Sequence, residues 1–390
     1  MSPRRTMKRS GFWAKERPSM AHLVFVVNNA DFLVSHRLVL VEGAMKAGYR
    51  VTVVAPEGPG LHVLEKVGCE IAPWKLRRTG QRPHEEAIAL AHLGALYRSL
   101  KPDLVHHITV KAMLYGSLAA RANGVRAVVN AVSGLGYVFL SSGLRAQVRR
   151  QVLRAGYRMA LTTPGSAVIL QNDDDEASLR SLGVLDGARV VKIRGSGVDL
   201  SRFPTTPEPS GVPLVVLPAR LLVDKGVREF VEAAQLLGKV ARFALVGGED
   251  EGNPAGVPRA ELDRWVDEGI VEWWGHRTDM PEVLRQAHVV CLPSYREGMP
   301  KALLEAAAMG RAIVTTDVAG CRDAVAGGAI GRLVPVRNAH ALAAVLGELI
   351  ASAPERKRWG DLASAHAREN FSEDRVLASH LELYASLLLG

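Results

Sequence analysis

Four charged side chains in the second half of the sequence are placed to act on a phosphorylated ligand. Arg220 ends the apolar run PLVVLPAR, and Lys225 follows just before Gly226 and a helical stretch. Two cations at a strand end, beside a helix N-terminus, suit a diphosphate. The plainer reading is two solvated surface charges. In YREGMPKALLEAAAMG, residues 295–310, the carboxylates Glu297 and Glu305 stand eight apart. Glu297 precedes Gly298, which lets backbone approach a ligand closely, and Pro300 suits a first helical turn. The helix that follows is apolar almost all round and should be buried. An unpaired carboxylate inside it would cost several kcal/mol. Glu305 therefore needs donors, either an Arg or Lys of a neighbouring element or ligand hydroxyls such as a ribose diol.

Weaker signals accompany these four. ALVGGED, EWWGHRTDM and VVCLPSYREG all end apolar runs in glycine or polar residues, the kind of turn that lines a nucleotide cleft. They contain Gly247, Gly275, His276 and Arg277. In the first half, Asn29 and His36 follow the first apolar run, and His106, His107 and Lys111 end a later one. A metal site from His106 and His107 is not expected, because adjacent strand residues face opposite ways. The acids of NDDDEASL read as a helix cap and first turn rather than metal ligands. In SSGLRAQVRRQVLRAGYRMA, Arg150, Arg154 and Arg158 recur every fourth residue, with Arg145 and Arg149 nearby. Leu144, Val148, Val152 and Leu153 form its apolar side. Such a basic amphipathic helix suits an anionic lipid surface or a solvated face.

The elements that must position these residues alternate. Short apolar runs such as HLVFVVNN, RVTVVAP, DLVHHI and AVVNAV read as buried parallel strands separated by helices near 35–47, 85–100, 111–123 and 144–160. SRFPTTPEPSGVP, with four prolines, reads as an extended linker. A second β-α-β series follows it. The expected organisation is a basic disordered tail over 1–20, a domain over 21–206, a second over 207–370 and a C-terminal helix over 371–390 packing back on the first. Met20, directly ahead of the first strand, also marks a candidate upstream-start artefact. Ligands of doubly wound sheets bind beyond the carboxyl ends of the strands, so two facing domains imply a cleft.

Composition narrows the class. The 390 residues are too many for one ordinary core. Three scattered cysteines and no Cys-x-x-Cys give neither a disulfide framework nor a cysteine zinc site, which fits a reducing cytoplasm. No apolar run approaches a membrane span, and the basic tail lacks the apolar core of a secretory signal. Formal charge is +5 over 1–20, +9 over 21–206 and −5 over 207–390. An anionic partner is thus expected on the front half only. The basic stripe has no interleaved aromatics, which disfavours nucleic acid.

Together, ARLLVDKG, REGMPKALLEAAAMGRAIVTT, GSGVDLSRF, QNDDD and GRLVPVRNAHALAAVL resemble retaining glycosyltransferase family 4, the group 1 glycosyl transferases. The resemblance runs from about residue 22 to 385. It implies an α/β GT-B architecture of two facing Rossmann-like doubly wound domains. NNADFLVSHR, HHITVKAMLYGSLAAR and VSGLGYVF are similar to the branch that acts on polyprenyl-diphosphate-linked sugars in surface glycan synthesis. By this resemblance Arg220 and Lys225 bind the donor diphosphate of a UDP-sugar. Glu297 orients the sugar, assisted by backbone N–H groups around the donor-side stretch Gly298, Met299, Pro300 and Lys301 (proline itself offers none), the turn at Gly275–Arg277 holds the base, and Glu305 takes the ribose hydroxyls. The sugar would be an N-acetylhexosamine or a hexose, the anomeric configuration would be kept, and no metal or other cofactor would be needed. The enzyme would sit peripherally on the inner face of the cell membrane. Two departures stand out: Ile108 replaces the second histidine of the family's His-x-His-Thr, and Ser133 stands where relatives carry a histidine. His107, Lys111 and His36 are the candidates to stand in on the acceptor side, with Asn29. A GT-B nucleotide-sugar 2-epimerase and a non-catalytic nucleotide-sugar binder are the competing readings.

Overall fold

The computed structural model describes residues 20–77, 82–132, 144–250 and 252–389. The tail over 1–19 lies outside them. By its contacts the described chain divides into two compact units. One runs to Val129 and takes in the chain from Tyr384; the other runs from Asn130 to Leu383.

The first series comprises β1 (His22–Val27), α1 (Ala30–Lys46), β2 (Arg50–Ala55), α2 (Gly60–Lys66), β3 (Glu70–Pro73), α3 (Pro83–Leu100), β4 (Leu104–Ile108), α4 (Val110–Ala122), β5 (Ala127–Val132), α5 (Leu144–Leu161), β6 (Ser166–Leu170), α6 (Asp173–Ser181) and β7 (Arg189–Lys192). Its strands order as β3-β2-β1-β4-β5-β6-β7. Helix α1 starts at Ala30 rather than Ser35 because Asn29 caps it. The Asn29 side chain accepts from the Asp31 N–H at 2.8 Å and from the Phe32 N–H at 3.4 Å. In the first unit, Val24, Val26, Val54 and Val105 pack on Leu93, Tyr97 and Ala119 of α3 and α4.

The second series comprises β8 (Leu214–Pro218), α7 (Val227–Leu237), β9 (Arg242–Val246), α8 (Arg259–Asp267), β10 (Glu272–Trp273), α9 (Met280–Gln286), β11 (Val289–Leu292), α10 (Lys301–Ala308), β12 (Ala312–Thr316), α11 (Ala319–Ala324), β13 (Arg332–Val334), α12 (Ala339–Ala351), α13 (Ala353–Asn370) and α14 (Glu373–Leu388). Its six strands order as β10-β9-β8-β11-β12-β13, with parallel neighbours throughout. Alternate strand residues feed two cores. Val216, Val290 and Ile313 meet Leu303 and Leu304 of α10 on one face. Val215, Val289 and Val314 meet Phe230, Leu342 and Leu346 on the other. Both faces are covered, so the strands read as continuous apolar runs.

The proline-rich segment is held rather than loose. Arg311 donates to the Thr206 carbonyl at 2.8 Å and to that of Pro207 at 3.1 Å, while Arg356 makes a two-pronged bond to Glu208 at 2.7 and 2.8 Å. These anchors keep it within the second unit. Among the described residues no helix is long and apolar enough to cross a membrane.

Candidate active site

In the second sheet the strand order turns back between β8 and β11, so the loops leaving these neighbours open side by side. Such a switch point is where doubly wound sheets bind ligands. The loop after β8 carries Arg220 and Lys225; the loop after β11 carries Glu297.

Packing sets the course of both loops. Lys225 ends the 3-10 turn Val223–Lys225, and Gly226 continues in the left-handed region at φ 73°. A side chain at Gly226 would overlap the Pro293 carbonyl, so glycine there lets the two loops touch. Gly247, after β9, meets the Ala219 carbonyl in the same way. Ser294 Oγ and the Tyr295 N–H both donate to the Asp224 carbonyl, at 3.0 and 2.8 Å.

These ties bring Lys225 Nζ to 2.5 Å from Glu297 Oε1, with the side chains only 19% and 12% exposed. A nearly enclosed ion pair at a switch point is costly to leave half-made. Arg220 is not part of this pair. Its side chain is 58% exposed and reaches Asp250 Oδ2 at 2.6 Å.

Glu305 lies in the buried stretch of α10, with one oxygen 3.8 Å from Lys301 Nζ. Burial pushes its carboxyl up to about 7, opposed by the charges of Lys301 and Arg202 and reinforced by that of Glu373. The donors this buried group requires are thus only partly supplied by the protein. Helix α10 begins at Lys301, with Pro300 as the flanking residue. In the turn after β10, Gly275 is left-handed at φ 67° and His276 is exposed. Arg277 pairs with Asp279 at 2.5 Å, holding that carboxyl down at about 2.

The first unit treats its candidates differently. The Asn29 side-chain oxygen caps α1. His36 is half-buried, stacked on Phe32 at 4.4 Å and bonded to Ser35 Oγ at 2.7 Å. His107 does not open on the surface: it is fully buried, with Nε2 at 2.8 Å from Tyr97 Oη. Gly116 of α4 makes its space, since a side chain there would overlap the ring. As placed, His107 packs the core. His106 is equally buried, on Tyr384 Oη at 2.7 Å. Lys111 Nζ bonds Glu86 at 2.7 Å, and Tyr115 Oη donates to the other oxygen of that carboxylate at 2.5 Å.

Ser133 lies outside the described residues. Arg145, Arg149 and Arg150 fall on α5, but their side chains lie outside them too; Arg154 and Arg158 are exposed. Asp250, Glu86 and Tyr115 carry no signal in the sequence, since their partners are 25 to 30 residues away.

Two family models match the chain: glycosyl transferase 4-like over residues 22–166 and glycosyl transferases group 1 over residues 212–352. A Campylobacter jejuni protein, N,N'-diacetylbacillosaminyl-diphospho-undecaprenol alpha-1,3-N-acetylgalactosaminyltransferase, is 28% identical over 86% of this chain and 90% of its own length. An Escherichia coli UDP-Gal:alpha-D-GlcNAc-diphosphoundecaprenol alpha-1,3-galactosyltransferase is 25% identical over 60% of this chain and 62% of its own. Among solved structures, sucrose-phosphate synthase from Thermosynechococcus elongatus is similar with a TM-score of 0.78 at 20% identity, covering 95% of this chain and 99% of that one. Anabaena HepE in complex with UDP-glucose follows at 0.73 and 20%, covering 94% and 99%. With two doubly wound parallel sheets and both family models in order along it, the chain belongs to the group 1, family 4-like glycosyltransferases of GT-B fold, and it is a sugar-transferring enzyme.

Proposed function

We propose that the enzyme transfers a sugar from a UDP-sugar to a polyprenyl-diphosphate-linked saccharide, with retention of the anomeric configuration and without a metal ion. The observation that carries the donor half is the Lys225–Glu297 pair at the switch point of the second sheet, with Arg220 open beside it. The acceptor half rests on similarity to the two diphospho-undecaprenol enzymes named above. The donor is an N-acetylhexosamine or a hexose.

In this reading the donor diphosphate takes Lys225 from Glu297 and draws in Arg220. Glu297, released, turns to the sugar hydroxyls. The bond from the anomeric carbon to the diphosphate oxygen breaks, and the acceptor oxygen bonds to the same carbon on the same face. The acceptor proton passes to the departing diphosphate. Arg220 and Lys225 stabilise the charge that grows on that group, the work a metal ion does elsewhere. Glu305 accepts hydrogen bonds from the ribose diol. Arg154 and Arg158 on α5 face anionic lipid, keeping the enzyme peripheral at the cytoplasmic membrane surface where such an acceptor resides.

The test is a screen of UDP-sugars against undecaprenyl-diphosphate-linked monosaccharides, scored by released UDP and by the anomeric coupling of the product. Transfer with retention that persists in EDTA is expected. Rapid 2-epimerisation of a UDP-sugar without acceptor, or UDP binding with no transfer to any lipid-linked sugar, would overturn the reading.

A further inference from the structure

The loop that carries Glu297 is held by two residues the catalytic reading does not use, at the starts of the neighbouring helices α6 and α11. The Gly320 N–H donates to the Glu297 carbonyl at 3.3 Å. Asn172 Nδ2 donates to the Gly298 carbonyl at 3.0 Å. Asn172 is 1% exposed, and its whole amide is in use. Its Oδ1 accepts from the Asp175 N–H at 2.7 Å as the cap of α6, and its Nδ2 also donates to Asp175 Oδ2 at 2.9 Å. Asp175 is itself buried and feels the positive charge of Arg296, the residue before Glu297.

A trans peptide group is planar, with its carbonyl and N–H pointing opposite ways. Engaging the Glu297 carbonyl therefore turns the Gly298 N–H away from Gly320. Engaging the Gly298 carbonyl turns the Met299 N–H away from Asn172. Among the described residues neither N–H has an acceptor. Two consecutive free donors, set by two external anchors beside a carboxylate, form a preorganised site for an anionic or polyhydroxyl group. Gly320 admits no side chain, which would overlap the Gly298 carbonyl.

We propose that Asn172 is a positioning residue whose amide, together with the Gly320 N–H, fixes the two peptide groups after Glu297 so that this carboxylate and the Gly298 and Met299 N–H groups meet the donor sugar together. The role of these groups toward a sugar rests on the reading above; the role of Asn172 toward the loop does not. Asn172 acts through the loop and touches no substrate.

Asn172→Ser separates the two duties of the side chain. Serine caps a helix nearly as well as asparagine but cannot donate to Gly298 from that distance. Gly320→Ala displaces the same peptide through the Gly298 carbonyl, which a new side chain would overlap. Hydrogen–deuterium exchange of the native and Asn172→Ser chains is expected to show faster exchange over 295–301 and unchanged protection in α6. With UDP-N-acetylgalactosamine and a lipid-linked acceptor, kcat should fall about tenfold while UDP affinity stays within about twofold. Unchanged exchange over 295–301 would overturn the proposal whatever the activity. Faster exchange with unchanged kcat would sink its catalytic part. Should the native enzyme transfer no UDP-sugar, the functional reading fails, and the exchange comparison still decides the place of Asn172. Gly320→Ala, if it folds, should reproduce the kcat loss; a folded Gly320→Ala with native kcat would also count against it.

Discussion

The two sheets offer the same position and fill it oppositely. In the second sheet, the loops after β8 and β11 meet at the reversal of strand order and hold an ion pair with one cation left open. In the first sheet, the loops after β1 and β4 occupy the corresponding reversal. There the Asn29 side-chain oxygen caps a helix, and the two histidines at the end of β4 are buried in the core on Tyr97 and Tyr384. A strand end beside a switch point is thus a location for chemistry, not evidence of it. What separates the cases is whether neighbouring groups consume the polar atoms.

The largest effect should come from the open edge. Lys225→Met strips Glu297 of its partner and the leaving diphosphate of a cation. Transfer should fall about a hundredfold or more, read as UDP release by folded protein. His107→Ala should act the other way round. It removes a buried ring and leaves the Tyr97 hydroxyl unpaired, so stability should drop by about 2–4 kcal/mol in a denaturant titration. The kcat of the remaining folded enzyme should not move. If His107→Ala instead leaves stability intact and abolishes transfer, the contrast between the two edges collapses. Replacing Arg154 and Arg158 together by alanine should weaken binding to anionic vesicles about tenfold in a flotation assay, with UDP affinity unchanged.

The smallest effect is the pH behaviour of Glu305. Burial raises its folded pKa from 4.5 to about 7. Between those values the folded state holds a proton that the unfolded state has lost. Its contribution to stability is therefore full below about 4.5 and is lost as pH rises through about 7. Ribose hydroxyls donate to the ionised form, so UDP affinity should rise roughly threefold between pH 6 and 8. In Glu305→Gln both trends should flatten. A Glu305→Gln variant that keeps native UDP affinity at pH 8 would make Glu305 a structural carboxylate.

Most of the fold was legible because parallel strands buried on both faces leave unmistakable apolar runs. The short elements α2 and β3 were not, since seven and four residues carry too little periodicity. The apolar run ahead of Gly275 forms only the two-residue strand Glu272–Trp273, the residues that pair with β9. The four charges of the donor edge stood out by sequence position, but the Lys225–Glu297 pair did not, since 72 residues separate its members. The histidines show the limit of alternation: adjacent strand residues do face opposite ways, yet here both faces are covered by helices. The one local trace was Gly116 inside α4, whose missing side chain makes room for the His107 ring.

The most direct test of the contrast is a hydrogen–deuterium exchange footprint of UDP on the native chain. Protection is expected over 219–226 and 296–301, with none over 106–111. Protection over 106–111 without any at the two second-sheet loops would contradict the account.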